Sequence, residues 1–327
     1  MAGGRDIIEG VTSQRCRAIL AAAATKRFLV VGDLMLDEFV WGKVSRISPE
    51  APVPVVHVTG ESWFPGGAAN VARNLCEFSA NVAVAGVVGT DAAGERLLSE
   101  LTKMGIEVAG VKRDAGSVTI VKTRIVARQQ QVVRVDRERA RTAAAAMAGQ
   151  TPAADAIVVA DYAKGAITQA VADALGELAS RDHAILAIDP SPKNPIQWRN
   201  ATVIKPNRDE AYRATGAPED ATADTVGRRM LEQSNTRLLL LTLGEEGMML
   251  FERDAPPYHT PTRAREVFDV SGAGDTAIAA MAAALTGGAT PVEAAEIANA
   301  ASGIVVGKLG TASVTLDELA ASFDGSR

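Results

Sequence analysis

Short apolar runs recur along the chain, each closing on a glycine or a polar residue. Phe28-Leu29-Val30-Val31 closes on Gly32-Asp33, and Val82–Val88 closes on Gly89-Thr90-Asp91. Ala156-Ile157-Val158-Val159-Ala160 closes on Asp161, Ala184–Ile188 on Asp189, Val203-Ile204 on Lys205, and Leu238–Leu243 on Gly244. Strands that are apolar at every position, rather than at every second one, belong in a parallel sheet covered on both faces. Helical spacing fills the intervals, as around Glu95–Met104 and after Asn207. This β-α-β rhythm predicts an α/β fold: a central, mostly parallel sheet with helices on both faces. In such a sheet, ligands gather past the carboxyl ends of the strands, where those closing polar residues stand.

Two stretches break the rhythm. Over residues 38–60, Trp41-Gly42, Ser48-Pro49-Glu50, Pro52 and Pro54 interrupt short β-prone pieces such as Val55–Val58. Prolines belong at sheet edges and in loops, so a small β excursion is expected here. Over residues 117–137 the pattern alternates, and a period of two puts Lys122, Arg124, Val126 and Arg128 on one face. Cations sharing a face must meet water or an anion, so this is either a solvated face or a clamp for a phosphorylated substrate. The first 25 residues or so read as a leading helix, and Ala294–Val306 as a late helix of small residues.

Composition narrows the function classes. Hydrophobic residues make up 47% and charged residues 22% of 327 positions, ordinary for a soluble globular protein. That length is consistent with one large domain, 1–327, or one domain plus a small appendage, with no linker or repeat to divide it. A net charge of -5 and a pI of about 5.4 argue against a nucleic-acid surface, and few aromatics are available to stack on bases. Cys16 and Cys76 match no metal spacing and suit a reducing cytoplasm. No apolar run reaches membrane-spanning length and no signal-peptide core opens the chain, so a cytoplasmic location is expected.

The chemistry concentrates in Asp269-Val270-Ser271-Gly272-Ala273-Gly274-Asp275-Thr276, just before a small apolar helix. Such a turn opens a helix N-terminus, where unpaired N–H groups and the helix dipole attract an anion. Gly272, Ala273 and Gly274 leave room for the anion to reach the backbone. Asp275 beside that hole either caps its own helix or takes a proton from a hydroxyl attacking a phosphoryl group; the flanking glycines favour the base. Gly66-Gly67-Ala68-Ala69-Asn70 is a second glycine-led helix start, suited to a polar ligand or to close helix packing. Asp37 either accepts hydrogen bonds from a sugar or serves a turn. Asn207 and Glu210, three residues apart, either reach a common Mg²⁺ or form an ordinary helix cap. A G-x-G-x-x-G motif is missing after the first strand, where the chain reads Gly32-Asp33-Leu34-Met35-Leu36-Asp37, so a dinucleotide-dependent dehydrogenase is poorly supported.

The two glycine-rich motifs, with an N-x-x-E motif between them, resemble the signatures of the ribokinase (PfkB-type) carbohydrate kinase family. Within that family, Ser45 to Val56, Asp161-Tyr162-Ala163-Lys164-Gly165 and Val305 to Thr311 resemble the kinases acting on D-glycero-D-manno-heptose 7-phosphate. Many of those are fused to an adenylyltransferase, and a chain of 327 residues resembles the stand-alone form. The resemblance implies a ribokinase-like fold with a small β lid at about 38–60 and 117–137, in relatives a dimer contact. It implies Asp275 as base, Gly272, Ala273 and Gly274 as anion hole, and Asp37, Gly66, Gly67 and Asn70 as sugar site. Asn207 and Glu210 would place Mg²⁺ and ATP, with Thr242, Gly244, Asn299 and Ser302 flanking the nucleotide. A monovalent cation, K⁺, is implied beside Asp269 and Ser271, although Val270 offers no side-chain oxygen. For the 7-phosphate the candidates are Lys122, Arg124, Arg128 and Lys164. A kinase for another sugar phosphate, or a silent nucleotide-binding regulator, are the alternative expectations.

Overall fold

The first strand, β1 (Phe28–Gly32), sends Phe28 and Val30 into one apolar cluster and Leu29 and Val31 into another. An unbroken apolar strand requires two covered faces, and the computed structural model supplies them. It describes residues 10–128, 130–139, 153–264, 266–308, 310 and 312–324. The other strands are β2 (Leu34–Ile47), β3 (Pro54–Gly67), β4 (Val82–Gly89), β5 (Glu107–Asp114), β6 (Ile120–Ala127) and β7 (Gln130–Arg137). They continue with β8 (Ala156–Ala160), β9 (Ile185–Asp189), β10 (Val203–Ile204), β11 (Leu238–Thr242), β12 (Met248–Glu252) and β13 (Tyr258–Thr260). The helices are α1 (Ser13–Ala23), α2 (Ala68–Cys76), α3 (Ala92–Lys103), α4 (Gln169–Asp182), α5 (Arg208–Thr215), α6 (Ala223–Ser234), α7 (Ala273–Thr286), α8 (Pro291–Val305) and α9 (Leu316–Ala321).

Nine strands form the main sheet in the order β13-β12-β11-β10-β9-β8-β1-β4-β5. From β11 to β5 every pairing is parallel, and β12 and β13 add an antiparallel edge. One face is covered by α1, α2, α3, α7, α8 and α9, the other by α4, α5 and α6. This is the mostly parallel α/β sheet, covered by helices on both faces, that the apolar runs predict. Helix α7 lies inside the first layer: Ala277 to Ala284 are almost wholly buried. Six of those eight residues are alanine, with Ile278 and Met281 between them, so α8, α2 and α1 can all press closely on one helix.

A separate four-stranded sheet has the order β3-β2-β6-β7. The interrupted pieces expected over 38–60 are in fact two long strands, 34–47 and 54–67, paired antiparallel through two bulges. The prolines sit in the hairpin loop and at the start of β3, where no ladder hydrogen bond is lost. The expected leading helix begins at Ser13; residues 1–9 lie outside the described residues. Arg128 does not share the face of Lys122 and Arg124, because β6 ends at Ala127 and Arg128 turns the chain at φ 50°. Among the described residues, no helix is long and apolar enough to cross a membrane.

Candidate active site

The carboxyl ends of β8, β9, β10 and β11 open into a crevice of about 780 Å³, closed on one side by the N-terminus of α7. Gly272 precedes that helix at φ 81°, a left-handed conformation that glycine adopts freely, and no side chain caps the first turn. Gly272 and Gly274 line the crevice, so the positive end of the dipole faces open space. The Ala273 N–H is turned toward the Val270 carbonyl at 3.3 Å.

Asp275 lines the same crevice and is 5% exposed. It does not cap its helix: Oδ2 accepts from Asn70 Nδ2 at 2.8 Å and Oδ1 from the Tyr162 hydroxyl at 2.5 Å. Burial pushes its pKa up to about 6, against hydrogen bonds from Tyr162 and Asn70 and the Lys205 charge, with the Asp37 charge adding to the rise. Lys205, 3% exposed at the end of β10, pairs with Asp189 at 3.1 Å. Its Nζ lies 3.3 Å from where a side chain on Gly274 would begin, so this cation faces the glycine turn. Burial drives Asp189 up to about 7. Burial would lower the Lys205 pKa, but Asp189, Glu210 and Asp275 outweigh it, and Lys205 is held above its ordinary value, charged.

Asp33, wholly buried, accepts from the backbone N–H groups of Tyr162 (2.9 Å), Lys164 (3.0 Å) and Ala166 (3.0 Å). It fixes the loop that carries Tyr162. Tyr162, Lys205 and Asp189 were absent from the sequence-based site, and Asp33 had no role in it. The signal was available: each of the four stands at or just past the end of an unbroken apolar strand.

On the expected sugar side, Asp37 is 5% exposed and paired with Arg124 at 2.5 Å. Gly66 is glycine for want of space: a Cβ there would lie 2.4 Å from Asp37 Oδ2. Gly67 leads into α2, where Asn74 Nδ2 donates to the Asn70 carbonyl at 2.9 Å and Thr276 Oγ1 to Asn74 Oδ1 at 3.0 Å. Asp37, Asn70 and Asp275 therefore come together, and Arg124 joins them as the partner of Asp37 rather than as a free cation. Lys122 meets Asp136 at 3.3 Å and Glu138 at 3.9 Å, and Lys164 meets Glu138 at 2.6 Å. Arg128 stands apart and donates to the Val44 carbonyl.

On the expected nucleotide side, Asn207, Glu210, Thr242 and Gly244 all line the crevice. Asn207 and Glu210 form a reciprocal cap of α5: Asn207 Oδ1 accepts from the Glu210 N–H, and Glu210 Oε2 from the Asn207 N–H. The cap and the crevice lining coexist, and the oxygen donors suit Mg²⁺ held through water. Among the described residues no group of three or more His, Cys, Asp or Glu is placed to hold a metal directly. Asp269 Oδ1 accepts from the Ser271 N–H at 2.9 Å, with Val270 exposed between them. Asn299 and Ser302 do not line this crevice: Asn299 donates to Thr260 Oγ1 and the Pro261 carbonyl, and Ser302 to the Ala273 carbonyl. Both side chains are spent on packing α8 against its neighbours. The two cysteines are free, with thiols pushed up to about 11 by burial, and lie outside the crevice.

Residues 25–318 match the profile of the pfkB family of carbohydrate kinases. The chain is 40% identical over 307 residues to a protein of Desulfatibacillum aliphaticivorans named Bifunctional protein HldE, covering 91% of this chain and 63% of that one. It is 41% identical over 316 residues to the protein of that name in Geobacter sulfurreducens, covering 94% of this chain and 64% of that one. The chain thus spans a little under two thirds of the length of these curated relatives. Among solved structures it resembles a ribokinase of Thermotoga maritima (TM-score 0.73, 21% identity, 92% of this chain and 100% of that one). It is also similar to phosphofructokinase-2 of Escherichia coli (TM-score 0.73, 16% identity, 92% of this chain and 99% of that one).

Proposed function

Since the chain belongs to the pfkB family of carbohydrate kinases, we propose that it transfers the γ-phosphoryl group of ATP to O1 of D-glycero-β-D-manno-heptose 7-phosphate. The product would be the 1,7-bisphosphate, an intermediate toward ADP-heptose and the lipopolysaccharide core, made in the cytoplasm. The observation that carries the reading is Asp275: a buried carboxylate lining the crevice, at a glycine-flanked helix N-terminus, and hydrogen-bonded to Asn70. The likeness to the HldE relatives supports the heptose branch of the family.

In this reading the acceptor sugar lies against Asp37, Gly66, Gly67 and Asn70, with its reacting hydroxyl directed at Asp275. The ATP phosphates lie over Gly272 and Gly274, along Asn207, Glu210, Thr242 and Gly244. As the hydroxyl attacks, its proton passes to Asp275, whose pKa of about 6 leaves it ionised at neutral pH and able to release the proton afterwards. Negative charge on the migrating phosphoryl group is met by the α7 dipole and by Lys205. Mg²⁺, held through water by Asn207 and Glu210, would neutralise charge on the β- and γ-phosphates. Lys122 and Lys164 are the cations left for the 7-phosphate, which would take the place of Glu138. The four-stranded sheet would act as a lid that excludes water, and its exposed Val58, Val133 and Val135 support a homodimer formed through it. A monovalent cation at Asp269 and Ser271 remains part of the proposal.

Acceptor-dependent ADP release tests it. Heptose 7-phosphate should be the preferred acceptor over the unphosphorylated heptose and over hexose phosphates. Asp275→Asn should lower turnover by about a hundredfold or more while both substrates still bind. Near-normal turnover in that variant removes the base assignment, and equal use of unphosphorylated sugars removes the heptose phosphate.

A further inference from the structure

Tyr162 lies in a loop held unusually firmly. Asp33 binds three of its backbone N–H groups, Asp161 Oδ1 takes the Ala163 N–H at 2.8 Å, and Asn194 anchors Asp161 from the other side at 2.8 Å. Ala163 sits at φ 54°, a left-handed conformation costly for a residue with a Cβ. Strain kept in place by this many hydrogen bonds indicates a loop that must present something at a fixed point. What it presents is the phenol: Tyr162 lines the crevice, and its hydroxyl donates to Asp275 Oδ1.

We propose that Tyr162 is a positioning residue for the base: its hydroxyl holds Asp275 ionised and aimed at the acceptor, leaving a second lone pair on Oδ1 for the incoming proton. This rests on the reading of Asp275 given above. The groups facing Asp275 come from five directions: Asn70 on α2, Asp37 on β2, Tyr162 after β8, Asp189 at the end of β9 and Lys205 after β10. Asp37 and Asp189 are like charges that favour the protonated acid, whereas Asn70, Tyr162 and Lys205 favour the carboxylate. Burial and the Asp275 charge keep the phenol protonated, so it is a donor throughout the working pH range. Asn70 donates to Oδ2 alone. Removing the phenol oxygen therefore leaves Oδ1 without the donor that offsets its burial.

The sign is fixed: without this donor Asp275 protonates at higher pH, so Tyr162→Phe should move the acid limb of kcat/KM upward by about one unit. Much of the lost activity should return above that limb. The same shift should appear in the ¹³C titration of the Asp275 carboxyl in the ligand-free protein, a readout that needs no acceptor. A Tyr162→Phe protein that loses activity equally at every pH, or whose carboxyl titrates as in the wild type, overturns the proposal while the base reading stands. Full activity in Asp275→Asn overturns both.

Discussion

Asp275 shows how opposing effects of several kinds settle one residue's chemistry. Burial raises the carboxyl's pKa, and hydrogen bonds from Tyr162 and Asn70 together with the Lys205 charge hold the rise to about 6. A base must be ionised, so kcat/KM should fall as pH drops below about 6. Stability should run the other way. Asp275 and Asp189 titrate at about 6 and 7 in the folded chain, above the ordinary value of 3.8. The native state therefore binds more protons between those limits, and the stability these groups lend is complete below the lower limit and lost as pH rises through the upper one. Carboxylates held low, such as Glu293 at about 2 beside Arg15, have given their share by pH 5. Urea unfolding should give a larger free energy at pH 5 than at pH 8, and a flat or rising trend would contradict these assignments. Of the site residues, those in glycine-rich turns were legible in sequence, because such turns signal themselves locally. Tyr162, Lys205 and Asp189 are single polar residues at strand ends, a position that flags them in the sequence, and their convergence then selects them from the other strand-end residues.

At the level of elements, α7 connects packing to chemistry. Its first turn faces the crevice and the rest is enclosed by α8, α2 and α1. Ala280 is wholly buried, so Ala280→Leu should cost about 1–3 kcal/mol through overpacking. The strain has an outlet toward Gly272–Asp275, so kcat should fall as well. Urea unfolding with parallel turnover measurements checks both, and unaltered values would mean slack that the burial does not show. Elements buried on both faces were legible because a strand such as Ile157–Ala160 has no polar position to confuse its period. β2 and β3 were harder: their outer halves face solvent, so polar residues and prolines shorten the apparent strands. Arg128 was misplaced because alternation continues through a turn when the turn residue is charged.

Over the whole molecule, the second sheet leaves the first at a single residue: β1 ends at Gly32, β2 begins at Leu34, and buried Asp33 stands between them. The second sheet is thus attached where the Tyr162 loop is held. β3 and β7 are its edges, and β7 is exposed along its length. Exposed apolar edges invite pairing. Val133→Asp, 46% exposed in the wild type, should convert the proposed dimer to a monomer in sedimentation velocity without unfolding it. A wild-type monomer would dismiss the dimer, and a Val133→Asp dimer would place the contact elsewhere.

The chain's own pattern determined the parallel sheet, its helical cover, the glycine-led helix starts and the acid beside one of them. All of these depend on period and on neighbours within a few residues, where backbone sterics and burial act directly. Tertiary structure alone decided which polar groups meet: Arg124 with Asp37, Lys205 with Asp189, Tyr162 with Asp275. Asn299 and Ser302 were likewise drawn into packing rather than toward the crevice. Partners far apart along a chain are chosen by how the layers stack, and electrostatic energy depends on that final distance and on the water excluded with it.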